Sequence, residues 1–148
     1  MRNFQSDLKK GQKVESIILE KLKKDHAGIK RVLGKKKEYD LIADDGYTAE
    51  VKFDELSEKT GNVGIEFECY GHPSGIEVTT AYEWIHIYKL YNNWVWSKIK
   101  TSELKAFIRN NKDYLHTGKG GDYDASLMHL VSVYDFADSF GFSVISST

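Results

Sequence analysis

Residues 39–53, YDLIADDGYTAEVKF, most constrain what this chain can fold into. Apolar and polar residues alternate on both sides of Asp44-Asp45-Gly46, which is typical of two strands joined by a tight turn. A three-residue loop that ends in glycine would place Gly46 in the left-handed conformation that glycine tolerates. Counting outwards from this loop predicts three cross-strand pairs: Ala43 with Tyr47, Ile42 with Thr48, and Asp40 with Glu50.

This register places the charged residues of the hairpin on one face. Residues directly opposed across two strands project from the same side of the sheet, with Cβ atoms roughly 4.5–5.5 Å apart. Asp40, Glu50 and Lys52 should therefore converge, with Glu38 facing Lys52. A two-residue Asp45-Gly46 turn would instead oppose Leu41 to Glu50 and scatter the charged set. The other face would be apolar and would consist of Tyr39, Leu41, Ala49, Val51 and Phe53.

Residues 7–25 predict an amphipathic helix, because their apolar side chains recur at about 100° per residue. Most of the lysines fall on the opposite side of this helix. Glu15 lies within the apolar face, between the directions of Leu8 and Leu22, so we expect its carboxylate to point toward the core or a cleft. Two interpretations stay open: Glu15 acts in a functional site, or it is a buried acid paired with a lysine of the next strand.

The remaining elements predict an α/β fold. A leading helix, a central mixed, mostly antiparallel sheet and a later helix together indicate an α/β/α sandwich. The expected elements are short strands at 29–33 and 63–70, two strands at 84–91 and 94–100 joined at Asn92-Asn93, a helix capped by Thr101 or Ser102 and ending near Asn111, a glycine-rich loop at 115–126, a last strand at 127–136, and a tail at 137–148 of uncertain structure.

The composition bounds the class of protein. A chain of 148 residues with 41% hydrophobic and 29% charged residues predicts one domain spanning residues 1–148. Cys69 is the only cysteine, which excludes disulfides and paired-cysteine zinc sites within the chain, and we expect it to be buried. No apolar run approaches the roughly 20 residues that span a bilayer, so we expect a cytoplasmic protein without a membrane partner.

Charge is distributed unevenly along the chain. Residues 1–37 hold twelve Lys and Arg against four acids, and residues 38–148 hold nine against eighteen, which gives balances of +8 and −9. A basic segment leading into an acidic one could dock a phosphate backbone beside a carboxylate site that holds a cation. A solvated lysine-rich helix followed by a basic turn explains the same charges.

The converging face of the hairpin suggests metal chemistry. Two opposed carboxylates repel each other unless a cation lies between them, and Mg²⁺ commonly binds through one or two carboxylates together with a substrate phosphate. Lys52 could orient the attacking water and stabilise charge on that phosphate. A solvent-exposed set of ion pairs among Lys52, Glu50, Asp40 and Glu38 is the alternative interpretation.

The acid-x-lysine triplet is weak evidence by itself, because it occurs three times in this chain. Asp7-Leu8-Lys9 and Glu103-Leu104-Lys105 lie where helices are expected to start, and there the helix dipole explains the acids. Glu50-Val51-Lys52 alone lies on an apolar strand with an acid opposite. The middle triplet is therefore the candidate site.

With Glu15 on the first helix, Asp40 on the second strand and Glu50-Val51-Lys52 on the third, the chain resembles the PD-(D/E)XK nucleases of restriction-endonuclease-like fold. The resemblance spans residues 5 to about 91, is closest to Holliday junction resolvase-like and phage-type members, and includes KTGNVGIEFE and SGIEVTTAYEW. Tyr39 stands where the family has its proline. The resemblance implies that Asp40, Glu50 and the Val51 main-chain carbonyl hold Mg²⁺, which Mn²⁺ can replace, that Glu15 assists through a water or a second ion, and that Lys52 serves the nucleophilic water.

The function implied is a Mg²⁺-dependent DNA endonuclease for recombination, repair or phage DNA processing, with branched or junction DNA among its substrates. A homodimer and, for a phage protein, the host cytoplasm belong to the same expectation. A non-catalytic nucleic-acid-binding module with the same fold is the alternative. A small assembly protein joined through the hairpin of Trp84, Trp94 and Trp96 is a third hypothesis, and an RNA substrate stays open.

Two lysines and three small polar residues form the candidate nucleic-acid contacts. Lys59, Thr60 and Asn62 could present donors to a phosphate, as could Ser74 from the next loop. Lys119, within a run of glycines, could close over a nucleic-acid strand. A turn, a helix cap and a flexible loop explain these residues nearly as well. The five histidines share no metal-ligand spacing, and no role is assigned to them.

Overall fold

The structure, a computed structural model, describes residues 4–34, 39–121 and 124–147. These ranges form an α/β protein with two sheets and four helices. The helices are α1 (Phe4–Leu22), α2 (Ser57–Thr60), α3 (Thr101–Asn110) and α4 (Val133–Phe140). The strands are β1 (Lys30–Arg31), β2 (Leu41–Ile42), β3 (Thr48–Phe53), β4 (Asn62–Cys69), β5 (His72–Pro73), β6 (Glu83–Leu90), β7 (Asn93–Lys100), β8 (His116–Gly120), β9 (Ser126–Ser132) and β10 (Ser143–Ser147).

The larger sheet is mixed and mostly antiparallel, as predicted. Its six strands follow the order β1-β2-β3-β6-β7-β10, and β3 with β6 is its parallel pair. A parallel pair needs a long crossover, because the chain must return to the same end of the sheet. Residues 54–82 make this crossover and include α2, β4, β5 and a 3₁₀ turn at Gly75–Glu77.

The smaller sheet corrects the expectation for residues 63–70. They form a strand, β4, but this strand lies outside the central sheet and belongs to a second, antiparallel sheet in the order β5-β4-β9-β8. Strand β4 pairs along its length with β9, so that Val63 lies opposite Val131. A strand partner 57 to 70 residues away along the chain leaves no local signal, which is why the alternation of residues 63–70 did not reveal it.

Two hydrophobic cores lie on opposite faces of the larger sheet. Helix α1 covers one face, where Val14, Ile18 and Leu22 pack with Leu41, Ala49, Ile85 and Ile87. The second sheet and helices α3 and α4 cover part of the other face, and their core includes Val63, Ile65, Trp84, Tyr88, Val95, Ile99, Leu104 and Phe136. The larger sheet is therefore the middle layer, and either of its faces can carry a site.

The β6–β7 hairpin turns one residue earlier than predicted. Tyr91 and Asn92 occupy the turn with φ of +49° and +68°, and Asn93 already pairs with Leu90. Two consecutive positive φ angles are what a two-residue hairpin turn requires, so the Asn92-Asn93 assignment was wrong. Trp84 and Trp94 are buried at 0% and 4% exposure and fill the two cores of this protomer.

The glycine-rich segment at 115–126 was expected to be a loop, but part of it forms β8. Gly118 and Gly120 face the side chains of Leu130 and Met128 on β9, and a Cβ at either glycine would collide with them. Glycine here makes room for large neighbours across the strand pair, which is the reason that composition misled the assignment.

The C-terminal third has more structure than predicted. The strand expected at 127–136 ends at Ser132, whose hydroxyl accepts a 3.3 Å hydrogen bond from the Tyr134 backbone N–H and so caps α4. The uncertain tail contains the second half of α4 and then β10, which pairs with β7 at the edge of the larger sheet. The expected strand runs into α4 because the apolar residues at the start of α4 follow those of β9 without a polar break.

Two smaller expectations also need correction. Helix α3 begins at Thr101, but neither Thr101 nor Ser102 is its N-cap, which is Lys100 without a side-chain bond. Cys69 is half-buried, and its Sγ accepts a 3.6 Å hydrogen bond from the Ser126 hydroxyl. The predicted contact of Glu38 with Lys52 lies outside the described residues. No helix that the structure describes has both the length and the apolar composition needed to cross a bilayer.

Candidate active site

The β2–β3 hairpin has the predicted three-residue loop, and its register agrees with the prediction from the loop to Leu41. The predicted pair of Asp40 with Glu50 is not among the strand pairs, because β2 begins at Leu41 and the Asp40 N–H donates to the Ala49 carbonyl instead. Gly46 has a φ of +90°, and the Ala43 N–H donates to the Tyr47 carbonyl at 2.9 Å across the three-residue loop. Beyond it, Ile42 pairs with Thr48 and Leu41 with Ala49. The Tyr47 N–H donates to the Asp45 carboxylate at 2.9 Å, which holds the pKa of that carboxyl below its usual range. The turn chemistry therefore sets the register, as the sequence indicated.

The two faces of β3 also separate as predicted. Ala49, Val51 and Phe53 belong to the core that helix α1 covers, whereas Lys52 lies over the Trp84 ring on the other side of the sheet and pairs there with Glu50. The Lys52 Nζ lies 3.2 Å from the Glu50 Oε1, and the side chains are 36% and 15% exposed. Glu50 is thus largely withdrawn from water and paired with a cation two residues along its own strand.

Asp40 is tied to the middle of the acid-x-lysine triplet by its carboxylate. It lies directly before β2, where its backbone N–H donates to the Ala49 carbonyl at 2.9 Å. Its Oδ2 accepts the Val51 N–H at 2.8 Å, so the carboxylate takes the place of a strand partner. A carboxylate that accepts a backbone N–H is held in a defined direction. Asp40 is therefore fixed beside the strand segment that carries Glu50 and Lys52.

Strand geometry also directs the Val51 carbonyl. The N–H and C=O of one strand residue project toward the same neighbouring strand. Because the Val51 N–H points to Asp40, its carbonyl projects to that side as well. One carbonyl oxygen and the Asp40 carboxylate thus lie along the same edge of β3, next to the residue that carries the Glu50 carboxylate.

Glu15 does not lie with Asp40, Glu50 and the Val51 carbonyl. Its Oε1 lies 3.9 Å from the Nε of Arg31, and its side chain is 32% exposed. Arg31 pairs in register with Leu41, whose side chain packs against α1. Glu15 therefore lies on the α1 side of the sheet, while Glu50 and Lys52 point to the other side. Glu15 therefore forms an ion pair with the next strand, β1, and its partner is an arginine and not the expected lysine.

A cleft opens beside Lys52, between the larger sheet and the second sheet. Its volume is about 680 Å³, and Lys52, Trp84 and His86 contribute from the larger sheet. Lys119 and Thr60, two of the predicted nucleic-acid contacts, line the same cleft. Four acids also line it: Asp54, Glu55, Glu66 and Asp124. Lys52, at one end of the charged face of the hairpin, therefore lies at a cleft that carries both acidic and basic side chains.

The other predicted nucleic-acid contacts, Lys59, Asn62 and Ser74, do not line this cleft. Lys59 is an exposed residue of helix α2. Asn62 begins β4, and its backbone N–H donates to the Thr60 hydroxyl at 3.1 Å. The Ser74 hydroxyl is buried and has no hydrogen-bond partner among the described residues. Thr60 and Asn62 therefore form a turn at the cleft wall, which is the structural role that the sequence left open for them.

A buried histidine near Lys52 was missed by the sequence reasoning. His86 is 1% exposed and lies beside Lys52 in the parallel pair of β3 and β6. Its ring accepts the Trp84 indole N–H at 3.0 Å and contacts the Asp54 carboxylate at 2.9 Å. The alternation of WIHIYKLY places His86 and Trp84 on one face of a strand, and that signal could have identified the pair.

The donor set fits a hard divalent cation. Asp40, Glu50 and the Val51 carbonyl offer oxygen ligands only, and Mg²⁺ prefers oxygen and usually keeps several waters beside one or two carboxylates. Among the residues that the structure describes, no three Asp, Glu, His or Cys side chains are grouped closely enough to hold a metal ion. A Mg²⁺ site here would therefore use two carboxylates with the backbone carbonyl, and waters or substrate for the rest.

The Asp40 anchor gives a prediction for stability. Asp40→Ala removes the acceptor of the Val51 N–H, so the free energy of unfolding should fall by about 1–3 kcal/mol, the typical cost of an unpaired buried donor. Asp40→Asn keeps an acceptor oxygen and should change it by less than about 1 kcal/mol. Urea unfolding measures both values.

Asp138→Ala is the matched control, because it removes an exposed acid from helix α4 and should stay within about 0.5 kcal/mol of the unsubstituted protein. Equal stability of the Asp40→Ala and Asp138→Ala proteins would contradict the anchoring role of the Asp40 carboxylate.

Comparison with known proteins does not place the chain in a family. No protein-family model, no curated protein and no solved structure matches it. The function is therefore argued from the geometry of the hairpin and the cleft.

Proposed function

We propose that this protein is a Mg²⁺-dependent DNA endonuclease of restriction-endonuclease-like fold that hydrolyses phosphodiester bonds. The observation that carries the proposal is the hydrogen bond of 2.8 Å from the Val51 N–H to the Asp40 carboxylate, which holds an acid beside Glu50 and Lys52. Asp40, Glu50 and Lys52 are three of the four side chains on which the sequence resemblance depends, and this arrangement supports the proposal. Glu15 is the fourth, and its contact with Arg31 leaves it out of the proposed metal ligands.

The order of elements supports the same proposal. A helix precedes the sheet, Asp40 adjoins the second strand, and the Glu50-Val51-Lys52 triplet lies on the third. These are the positions on which the resemblance to the PD-(D/E)XK nucleases depends. The second sheet, whose strands β4 and β5 lie between β3 and β6 and whose strands β8 and β9 follow α3, would be this chain's own addition to such a core.

The roles of the residues follow from their chemistry. Mg²⁺ bound at the two carboxylates would polarise a phosphoryl oxygen and make a bound water a better nucleophile at neutral pH. Asp40 and Glu50 would supply the negative charge that holds the cation, with the Val51 carbonyl as a neutral ligand. Lys52, paired with Glu50 at 3.2 Å, would orient the attacking water and offset charge on the phosphate.

The cleft is the proposed path of the nucleic acid. Lys52 lies at one wall, and Lys119 and Thr60 line the same cavity. An ammonium and a hydroxyl are typical phosphate contacts, which position a backbone without reading its sequence. We therefore expect the shape of the DNA, including branched and junction forms, to decide which substrates are cut.

A cleavage panel tests the proposal. Single-stranded, duplex and four-way-junction DNA should be cut in Mg²⁺ or Mn²⁺, and EDTA should abolish the activity. Asp40→Asn and Lys52→Met should each lower kcat by about 10²–10³-fold, the usual loss when one electrostatic group of an active site is removed. Gel analysis of end-labelled DNA measures the rates.

The chain provides matched controls outside both grooves. Glu103→Gln makes the same kind of change at an exposed acid of helix α3, and Lys98→Met makes it at an exposed lysine of β7. Both should leave cleavage unchanged. Equal cleavage by the unsubstituted, Asp40→Asn and Lys52→Met proteins would trace the activity to a contaminant and defeat the proposal. Absence of cleavage on the whole panel would favour the second candidate function.

That second candidate is a nucleic-acid-binding module without catalysis. A separate groove of about 450 Å³ runs between helix α3 and the second sheet. Lys105, Arg109 and Lys112 line it, and their spacing places all three on one side of α3 and the turn that follows it. Phe67 and His129 stack at 4.2 Å in the same groove. Three cations against one acid, Glu77, beside an apolar floor suit a phosphate backbone better than a neutral ligand.

Salt dependence tests this second function. Each phosphate contact contributes roughly 0.9 to the slope of log affinity against log salt for duplex DNA. Replacing Lys105, Arg109 and Lys112 by Gln should therefore reduce the slope by about two to three. An unchanged slope, measured by fluorescence anisotropy across a salt series, would exclude the groove as a phosphate-binding surface.

A further inference from the structure

We propose that Trp84, His86 and Asp54 form a buried positioning chain that holds the Lys52 ammonium over the indole of Trp84. The effect of this chain on catalysis rests on the proposed nuclease function, whereas its hydrogen bonds are independent of that proposal. The chain begins under Lys52 and ends at Asp54, which joins the two sheets.

The hydrogen bonds determine which ring nitrogen of His86 carries the hydrogen. An indole N–H can only donate, so the His86 Nδ1, 3.0 Å from the Trp84 Nε1, is the acceptor. The His86 Nε2 then donates to the Asp54 Oδ2 at 2.9 Å. Both ring nitrogens are occupied in a side chain that is 1% exposed. His86 is therefore a link between two partners rather than an acid or base for substrate.

Asp54 is the fixed end of the chain. Its backbone N–H donates to the Ile87 carbonyl at 2.8 Å, which ties it to β6. Its Oδ2 accepts the Gly64 N–H of the second sheet at 2.8 Å, in addition to the bond from His86. A rotation of the imidazole would leave the buried Trp84 N–H without its acceptor, at a cost of about 1–3 kcal/mol. The Trp84 indole at the other end is 0% exposed and packed in the core.

The indole face and Glu50 together hold the amine of Lys52. The Lys52 Nζ lies 5.8 Å from the Trp84 ring centroid and 3.2 Å from the Glu50 Oε1. A cation at this distance from an indole is attracted to the ring face by about 0.5–2 kcal/mol, depending on its exposure. In the parallel strand pair, Glu50 lies beside Trp84 and Lys52 beside His86. The chain and the two groups that hold the amine are thus one cross-strand unit.

Positioning matters because a lysine side chain is flexible. Its ammonium sits on a four-carbon stem with rotatable bonds, so two fixed partners are needed to give it one direction. A misplacement of about 1 Å in a catalytic group can cost on the order of 10²-fold in rate. Loss of the chain should therefore lower kcat more than it changes KM.

Three variants separate positioning from stability. His86→Leu removes both ring hydrogen bonds, and Asp54→Ala removes the anchor while leaving the imidazole in place. Asp54→Asn is the conservative variant, because its amide oxygen can still accept from His86 and from Gly64. Tyr88→Phe is the matched control: it removes a buried 2.7 Å hydrogen bond to Ser97 from the same strand and keeps the ring that lies near His86.

The readout that does not need nuclease activity is the proton NMR shift of the Lys52 CεH₂ group. The indole ring current should displace this signal upfield of the other lysines, and a nuclear Overhauser contact should join it to the Trp84 ring. His86→Leu and Asp54→Ala should lose most of the displacement, and Asp54→Asn and Tyr88→Phe should keep it. In cleavage assays, the first two should lower kcat by about tenfold with KM changed less than about twofold.

These measurements distinguish failure of the positioning chain from failure of the proposed nuclease function. Loss of the displacement in His86→Leu, or in Asp54→Ala if the former does not fold, supports the chain, even if no DNA is cut and the proposed function fails. An undisplaced Lys52 signal in the unsubstituted protein, or an equal displacement in all variants, overturns it. Active protein whose kcat is the same in the His86→Leu and Tyr88→Phe forms also overturns it.

Discussion

Where strand β2 stops, the Asp40 carboxylate takes the place of a strand partner and accepts the Val51 N–H at 2.8 Å. The rest of the candidate site depends on this bond, because it holds one acid beside the strand that carries Glu50 and Lys52. The three-residue loop at Asp44-Asp45-Gly46 makes the bond possible, since a one-residue slip in register would turn Glu50 and Lys52 toward α1. Local turn chemistry thus controls the position of the charges.

The face of β3 that carries Glu50 and Lys52 could be a set of structural ion pairs or a catalytic metal site. The burial of Glu50 distinguishes these two interpretations. Exposed ion pairs contribute little to stability, whereas Glu50, 15% exposed, is largely withdrawn from water beside Lys52, and burial of a carboxylate has a desolvation cost. A cation bound at Asp40 and Glu50 would compensate this cost. The buried Trp84–His86–Asp54 chain beneath Lys52 adds to the argument, because three polar groups are ordered next to a lysine at the edge of an open cleft.

Sequence reasoning succeeded where the information was local. The hairpin loop, its register and the split of β3 into two faces all follow from turn residues and alternation. It failed for β4, whose partner β9 lies far along the chain, and for β8, where glycines make room for Met128 and Leu130. Helical periodicity gave the direction of Glu15 around α1, but not which face of the sheet the helix covers. That face depends on long-range packing and leaves Glu15 with Arg31.

The most direct test of the central claim is paramagnetic broadening of backbone amide signals by Mn²⁺. If Asp40, Glu50 and the Val51 carbonyl hold a divalent cation, substoichiometric Mn²⁺ should broaden the signals of residues 40–41 and 50–52 before all others. Excess Mg²⁺ should reverse the effect, and the Asp40→Asn protein should not show it. Broadening centred on the acids of the cleft instead, or spread evenly over the surface, would contradict a metal site at this hairpin.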